Sequence, residues 1–164
     1  MNTYYELIQY LKNLFEEDDR VKNVVTGDME QWKKDLFILT HIDVTDAPFV
    51  GESNLGVVYF NVTINVLDIR DVNKENVKDR FWHNDGRHDS WNDTFSILQL
   101  AKNKVIKDYL GNDITLNSAT SAERVTYAFM NGLDGWSQTW TLEVPDDFTS
   151  PCGDCTDTNR IGCR

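Results

Sequence analysis

The stretch GVVYFNVTINVLDIR, residues 56–70, constrains the fold more than any other part of the chain. Val58, Phe60, Val62, Ile64 and Val66 alternate with Tyr59, Asn61, Thr63 and Asn65. Successive side chains of a strand point to opposite faces, so a period of two predicts one long strand with an apolar face and a polar face. The apolar face needs a covering layer. The polar face carries no charge, although 26% of the chain is Asp, Glu, Lys or Arg. A face that met only water would hold charged residues at something near that frequency, so this one is suited to a partner.

Helices are the expected cover. Tyr4, Leu7, Ile8, Leu11, Leu14 and Phe15 recur at helical spacing, with Lys12, Glu16 and Glu17 opposite, and Thr3 and Glu6 stand at capping-box spacing. A second helix is expected in SWNDTFSILQLAKNKVIKDYLG, with Asp89 or Ser90 as N-cap, Trp91, Phe95, Leu98, Val105 and Tyr109 on one face and Gly111 as its stop. VKNVV and LFILTHIDV, rich in β-branched residues, read as strands. Val125, Tyr127 and Phe129 alternate, NGLDG reads as a turn, and Trp136, Trp140, Leu142 and Val144 alternate again, which makes a hairpin ended by Pro145. Trp136 and Trp140 are expected in the core.

The order helix, strands, helix, strands predicts an α+β fold: a mostly antiparallel sheet with two main helices packed on one face. At roughly 150 residues per domain, the 164 residues divide into a single α+β domain over 1–150 and a cysteine-containing C-terminal tail over 151–164. No apolar run approaches the roughly twenty residues a membrane helix needs, so no membrane partner is expected. The opening MNTYYELIQYLKNLF is spaced as a helix rather than as a basic leader with an apolar core, which predicts a protein made in a cytoplasm.

The chemical motifs are few. His83, Asp85, His88 and Asp89 fall within seven residues, HNDGRHD, a cluster that a metal-dependent hydrolase would use. A His-Asp phosphohydrolase needs further ligands on surrounding helices, and the remaining histidine is His41, which alternates with Phe37 and Leu39 and reads as a hydrogen-bonded sheet residue. The simpler reading takes Asn84, Asp85 and Gly86 as turn formers and Asp89 or Ser90 as a helix cap. The tail SPCGDCTDTNRIGCR holds Cys152, Cys155 and Cys163, a CxxC with a third Cys eight positions later, which is a zinc site lacking its fourth ligand. Its polar Gly, Asp and Thr composition predicts a flexible tail instead, so no cofactor is expected. Neither GxGxxG nor GxxxxGK occurs, and a net charge of −11 opposes a grip on a phosphate backbone. The chain therefore reads as a non-enzyme.

Four stretches in a fixed order carry a family resemblance over residues 1 to about 152: GDMEQWKKDLFILTHIDV, VVYFNVTINVLDIRDVNKE, NDTFSILQLAKNKVIKDYL and AFMNGLDGWSQTWTLEVPDD. They resemble the neck and tail-terminator-like ring proteins of tailed bacteriophages. The most specific piece is the last, a Gly-Trp turn followed by an alternating strand and an acidic residue after Pro145. The extended HNDGRHD loop and the cysteine tail depart from the family pattern.

The resemblance implies a tail-terminator-like fold and a structural virion protein, made in the host cytoplasm, with no active site. It implies a closed homo-oligomeric ring, sixfold or twelvefold, that joins head to tail. Its partners are neighbouring portal, connector or tail proteins, and DNA passes through its channel without specific binding. On this reading contact between subunits falls to Tyr59, Asn61 and Thr63 of the long strand and to Phe81 and Trp82 of the charged loop over residues 71–90. The alternatives are a metal-dependent hydrolase built on His83, Asp85, His88 and Asp89, and a monomeric binding module that uses the polar sheet face.

Overall fold

The computed structural model describes residues 3–27, 37–48, 57–69, 87–107, 113–128 and 132–145. Its elements are α1 (Thr3–Glu16), β1 (Asn23–Val25), β2 (Leu39–Asp46), β3 (Val57–Ile69), α2 (Arg87–Ile106), β4 (Thr115–Ala119), β5 (Glu123–Ala128) and β6 (Leu133–Pro145).

The period-two stretch forms β3, which lies at the centre of the sheet. It pairs with β6 in antiparallel register along its whole length, from Val57 opposite Pro145 to Ile69 opposite Leu133. On its other side β2 pairs antiparallel, from Leu39 opposite Leu67 to Asp46 opposite Asn61, with a register shift between Val44 and Asp46. β1 adds a parallel edge to β2. β4 and β5 share the far edge of β6, β4 along Trp140 to Glu143 and β5 along Leu133 to Ser137. The fold is thus α+β, with, among the described residues, a mostly antiparallel sheet of six strands and two helices, as the grouping of patterns implied.

Both helices pack on one face. Leu7, Tyr10, Leu11, Leu14 and Phe15 of α1, with Ile97, Leu98, Ala101 and Val105 of α2, meet the inward row Phe60, Val62, Ile64 and Val66 in one buried cluster. Trp140, completely buried, stacks on Phe15 at 6.2 Å between ring centroids and donates its indole N–H to Gln138 Oε1 at 2.9 Å. Trp136, by contrast, is half-buried, with its N–H donated to the Trp91 carbonyl at 2.8 Å. The two helices are also tied by polar contacts. Arg20 donates to both Asp18 oxygens, at 2.9 and 2.7 Å, and to Ser96 Oγ of α2 at 2.6 Å, while Lys104 of α2 reaches Glu17 at 2.6 Å. Hydrogen bonding from Arg20 holds the Asp18 carboxyl below its ordinary range, so this tie is complete above ordinary carboxylate pH and loosens in acid.

The structure departs from the sequence reading at four places. First, α2 begins at Arg87, so Asp89 and Ser90 lie inside its first turn rather than before it. Second, its buried row is Ser90, Thr94, Ile97, Leu98, Ala101 and Val105; Trp91 is half-buried and Phe95 is 40% exposed. Two small polar residues begin that row, so the spacing of apolar residues marked a neighbouring stripe. Third, Leu133, Asp134 and Gly135 of NGLDG are the first residues of β6 and not part of a turn. Fourth, TLNSA forms β4, an exposed edge strand without an apolar alternation to announce it. The side chain of Thr3 and residues Tyr109, Gly111 and Phe129 lie outside what is described.

Gly135 lies where β6 crosses close to β3: a Cβ there would collide with the Val66 carbonyl oxygen. Gly135→Ala is expected to destabilise the domain by about 1–3 kcal/mol through overpacking, lowering the melting temperature by roughly 2–12 °C. A melting temperature equal to wild type would contradict this β3–β6 approach.

Candidate functional site

The register sets the chemistry of the face that the helices leave. β2 contributes His41, Asp43 and, past its bulge, Asp46; β3 contributes Tyr59, Asn61, Thr63 and Asn65; β6 contributes Ser137, Thr139, Thr141 and Glu143. Asn61, Thr63 and Asn65 each lie between partners on β2 and β6, Tyr59 faces Glu143 of β6, and several of these pairs are hydrogen-bonded across strands. Asn65 Nδ2 stands 3.1 Å from His41 Nδ1, and His41 Nε2 stands 2.7 Å from the Gly27 carbonyl oxygen. That carbonyl can only accept, so Nε2 carries the proton and Nδ1 accepts from the amide. Thr63 and Thr139 hydroxyls pair at 2.9 Å. Thr141 donates to Asn61 Oδ1 at 2.7 Å, and Asn61 Nδ2 donates in turn to Asp46 at 2.7 Å. Tyr59 donates its hydroxyl to Glu143 at 3.1 Å, and burial first, then this bond, pushes the phenol above its ordinary range.

The result is a band of uncharged polar side chains, half-buried from Asn61 to Asn65 and from Ser137 to Thr141. Among the described residues charge stands at its margins, on Asp43 and Asp46 of β2, on Glu143 beside β4 and on Glu123 of β5 opposite Ser137. Because the amides and hydroxyls already bond to one another, a second protein laid over them strands few donors or acceptors. A band like this can bind a flat protein surface.

The residues named from sequence are distributed as follows. Asn61 and Thr63 belong to the band, and Tyr59 lies at its end but is only 7% exposed. His41 is the hydrogen-bonded sheet residue its position implied, 6% exposed. His88 and Asp89 are exposed in the first turn of α2, the His88 ring edge-on to Trp91 at 5.6 Å. His83, Asp85, Phe81, Trp82, Cys152, Cys155 and Cys163 lie outside the described residues. Among the described residues no group of three or more His, Cys, Asp and Glu is placed to hold a metal ion.

One polar constellation was not anticipated. Asp68 and Asp134 are direct partners across β3 and β6, Asp134 is completely buried, and Asp68 accepts from Ser90 Oγ at 3.1 Å and from the Ile69 amide at 2.8 Å. The first turn of α2 thus meets the Asp68 carboxylate, an arrangement a helix N-terminus stabilises. The signal for it was the inward row itself: Asp68 continues Val62, Ile64 and Val66, and Asp134 continues Trp140, Gln138 and Trp136.

These observations define a class, an α+β domain with one helix-covered sheet face and one uncharged, internally bonded polar face. Neither the models of protein families nor the curated proteins compared with this sequence give a match.

His41→Leu removes the bonds that link β2 to the Gly27 carbonyl and to Asn65 of β3. A loss of about 1–2 kcal/mol is expected in denaturant unfolding. A variant as stable as wild type would show that these bonds add nothing to the face.

Proposed function

We propose that this chain is a structural ring subunit of the neck or tail of a tailed bacteriophage, and that the polar sheet face is one of the surfaces through which subunits meet. One observation carries the reading: the uncharged band along β3 and β6, with the hydroxyls of Thr63, Thr139 and Thr141 and the amides of Asn61 and Asn65 bonded within the sheet. The cores of protein interfaces are depleted of charge, and a closed ring needs two different surfaces on each subunit, one of which this band supplies.

Three further features support the reading. The four stretches resemble the ring proteins of phage necks and tails, and the α+β layering is compatible with them. A net charge of −11 suits a ring through which DNA must slide toward the tail without sticking. Among the described residues no helix is long and apolar enough to cross a membrane. In the virion the ring would stand between portal or connector proteins and the tail.

Thr139→Lys tests the reading, since it sets an unpaired charge in the middle of the band. The variant is expected to keep the wild-type circular dichroism spectrum and a melting temperature within a few degrees, yet to run as a monomer in light scattering where wild type is oligomeric. Oligomers as large and as stable as those of wild type would overturn the assignment of this face.

A further inference from the structure

A heterologous ring contact needs a second surface, different from the polar face and complementary to it. On the helix side of the sheet, where α2 passes β5 and β6, the structure holds a fixed aromatic patch. The Arg124 guanidinium lies 4.4 Å over the Trp91 ring. Trp91 donates its N–H to the Val125 carbonyl at 3.3 Å, Trp136 donates to the Trp91 carbonyl at 2.8 Å, and Phe95 packs on Trp136 at 5.0 Å between centroids. These rings are held by the sheet and the helix together, yet the patch is not enclosed: Phe95 is 40% exposed and Arg124 is exposed, while Trp91 and Trp136 are half-buried.

We infer that this patch, Trp91, Phe95, Trp136 and Arg124, docks onto the polar sheet face of a second copy of the chain. The inference rests on the ring reading for the polar face and adds the surface that meets it. Trp, Phe and Arg are the side chains enriched at the centres of protein interfaces, and rings already pinned by hydrogen bonds lose little freedom on binding. The occupant is chosen by charge. Arg124 is an exposed cation in a chain of net charge −11, and the polar face is bordered by the carboxylates Asp43, Asp46 and Glu143. The uncharged band suits the rings, and its acidic border suits Arg124. An aromatic and arginine platform also stacks on single-stranded nucleic acid, but the overall charge opposes that partner.

The test reverses charge on each surface of the full-length chain and follows sedimentation across concentration. Arg124→Glu alone, and Asp43→Lys with Asp46→Lys alone, are each expected to fold with the wild-type circular dichroism spectrum and to weaken self-association by about thirtyfold or more. Mixed in equal amounts, the two variants are expected to associate again, because each then offers the other a complementary pair of surfaces. If Arg124→Glu fails to fold, Phe95→Ser at its exposed helical position is expected to give the same loss of association. The docking is overturned if the charge variants self-associate as wild type does, or if mixing fails to restore association. In either case loss of assembly in Thr139→Lys would leave the polar face standing as an interface with some other complement. A wild type that stays monomeric at every concentration overturns both. Binding of a single-stranded oligonucleotide that Arg124→Glu abolishes, with no self-association, assigns the patch to nucleic acid and overturns the proposal as well.

Discussion

The antiparallel pairing of β3 with β6, two strands of 13 residues in continuous register, decides which side chains share a face, and the rest of the molecule depends on it. It sets Phe60, Val62, Ile64 and Val66 beside Leu142, Trp140, Gln138 and Trp136 under the helices, and Asn61, Thr63 and Asn65 beside Thr141, Thr139 and Ser137 on the other side. A slip of one residue would exchange the two sets, burying amides under α1 and α2 and exposing the aliphatic row, so the register is strongly specified. Gly135 reinforces it at one end by admitting the Val66 carbonyl at a distance no other residue allows.

The two faces are stabilised by different physics. On the helix side, burial of apolar area dominates, and the buried indole of Trp140 finds its acceptor in Gln138. On the other side each lateral hydrogen bond contributes modestly while water competes for the same groups, and more once water is excluded. That difference makes the polar face a surface whose bonds are formed in the subunit and strengthened by a cover. The tie of Arg20 to Asp18 and Ser96, by contrast, fixes α1 against α2 and so holds the apolar layer in place from outside.

Elements with one strong period were legible in the sequence. β3 and α1 follow their patterns almost to the residue, because each buries a single continuous row. β4 was not, since Thr115–Ala119 is an exposed edge whose pairing comes from β6 rather than from its own composition. The inward face of α2 was legible in part: Leu98 and Val105 are buried as their spacing implied, whereas Ser90 and Thr94, small and polar, take the N-terminal contact positions because their hydroxyls find Asp68 and the Ser90 carbonyl. Of the polar face, Asn61, Thr63 and Asn65 were visible from alternation alone. Their partners Asp46, His41, Thr139 and Thr141 were not, because a cross-strand pair belongs to the register between strands distant in sequence. The same holds for the patch: Arg124 and Trp91 are 33 positions apart in sequence and meet only when β5 joins β6 beneath α2.

The central claim is that the uncharged face is covered by another copy of the same chain. The most direct measurement is the mass of the purified wild-type protein by sedimentation across a wide range of concentration, with electron-microscope images of the same samples. The account predicts one closed oligomer, a ring with a central channel, whose population grows with concentration at the expense of the monomer. A monomeric mass at every concentration, with no rings in the images, would contradict it.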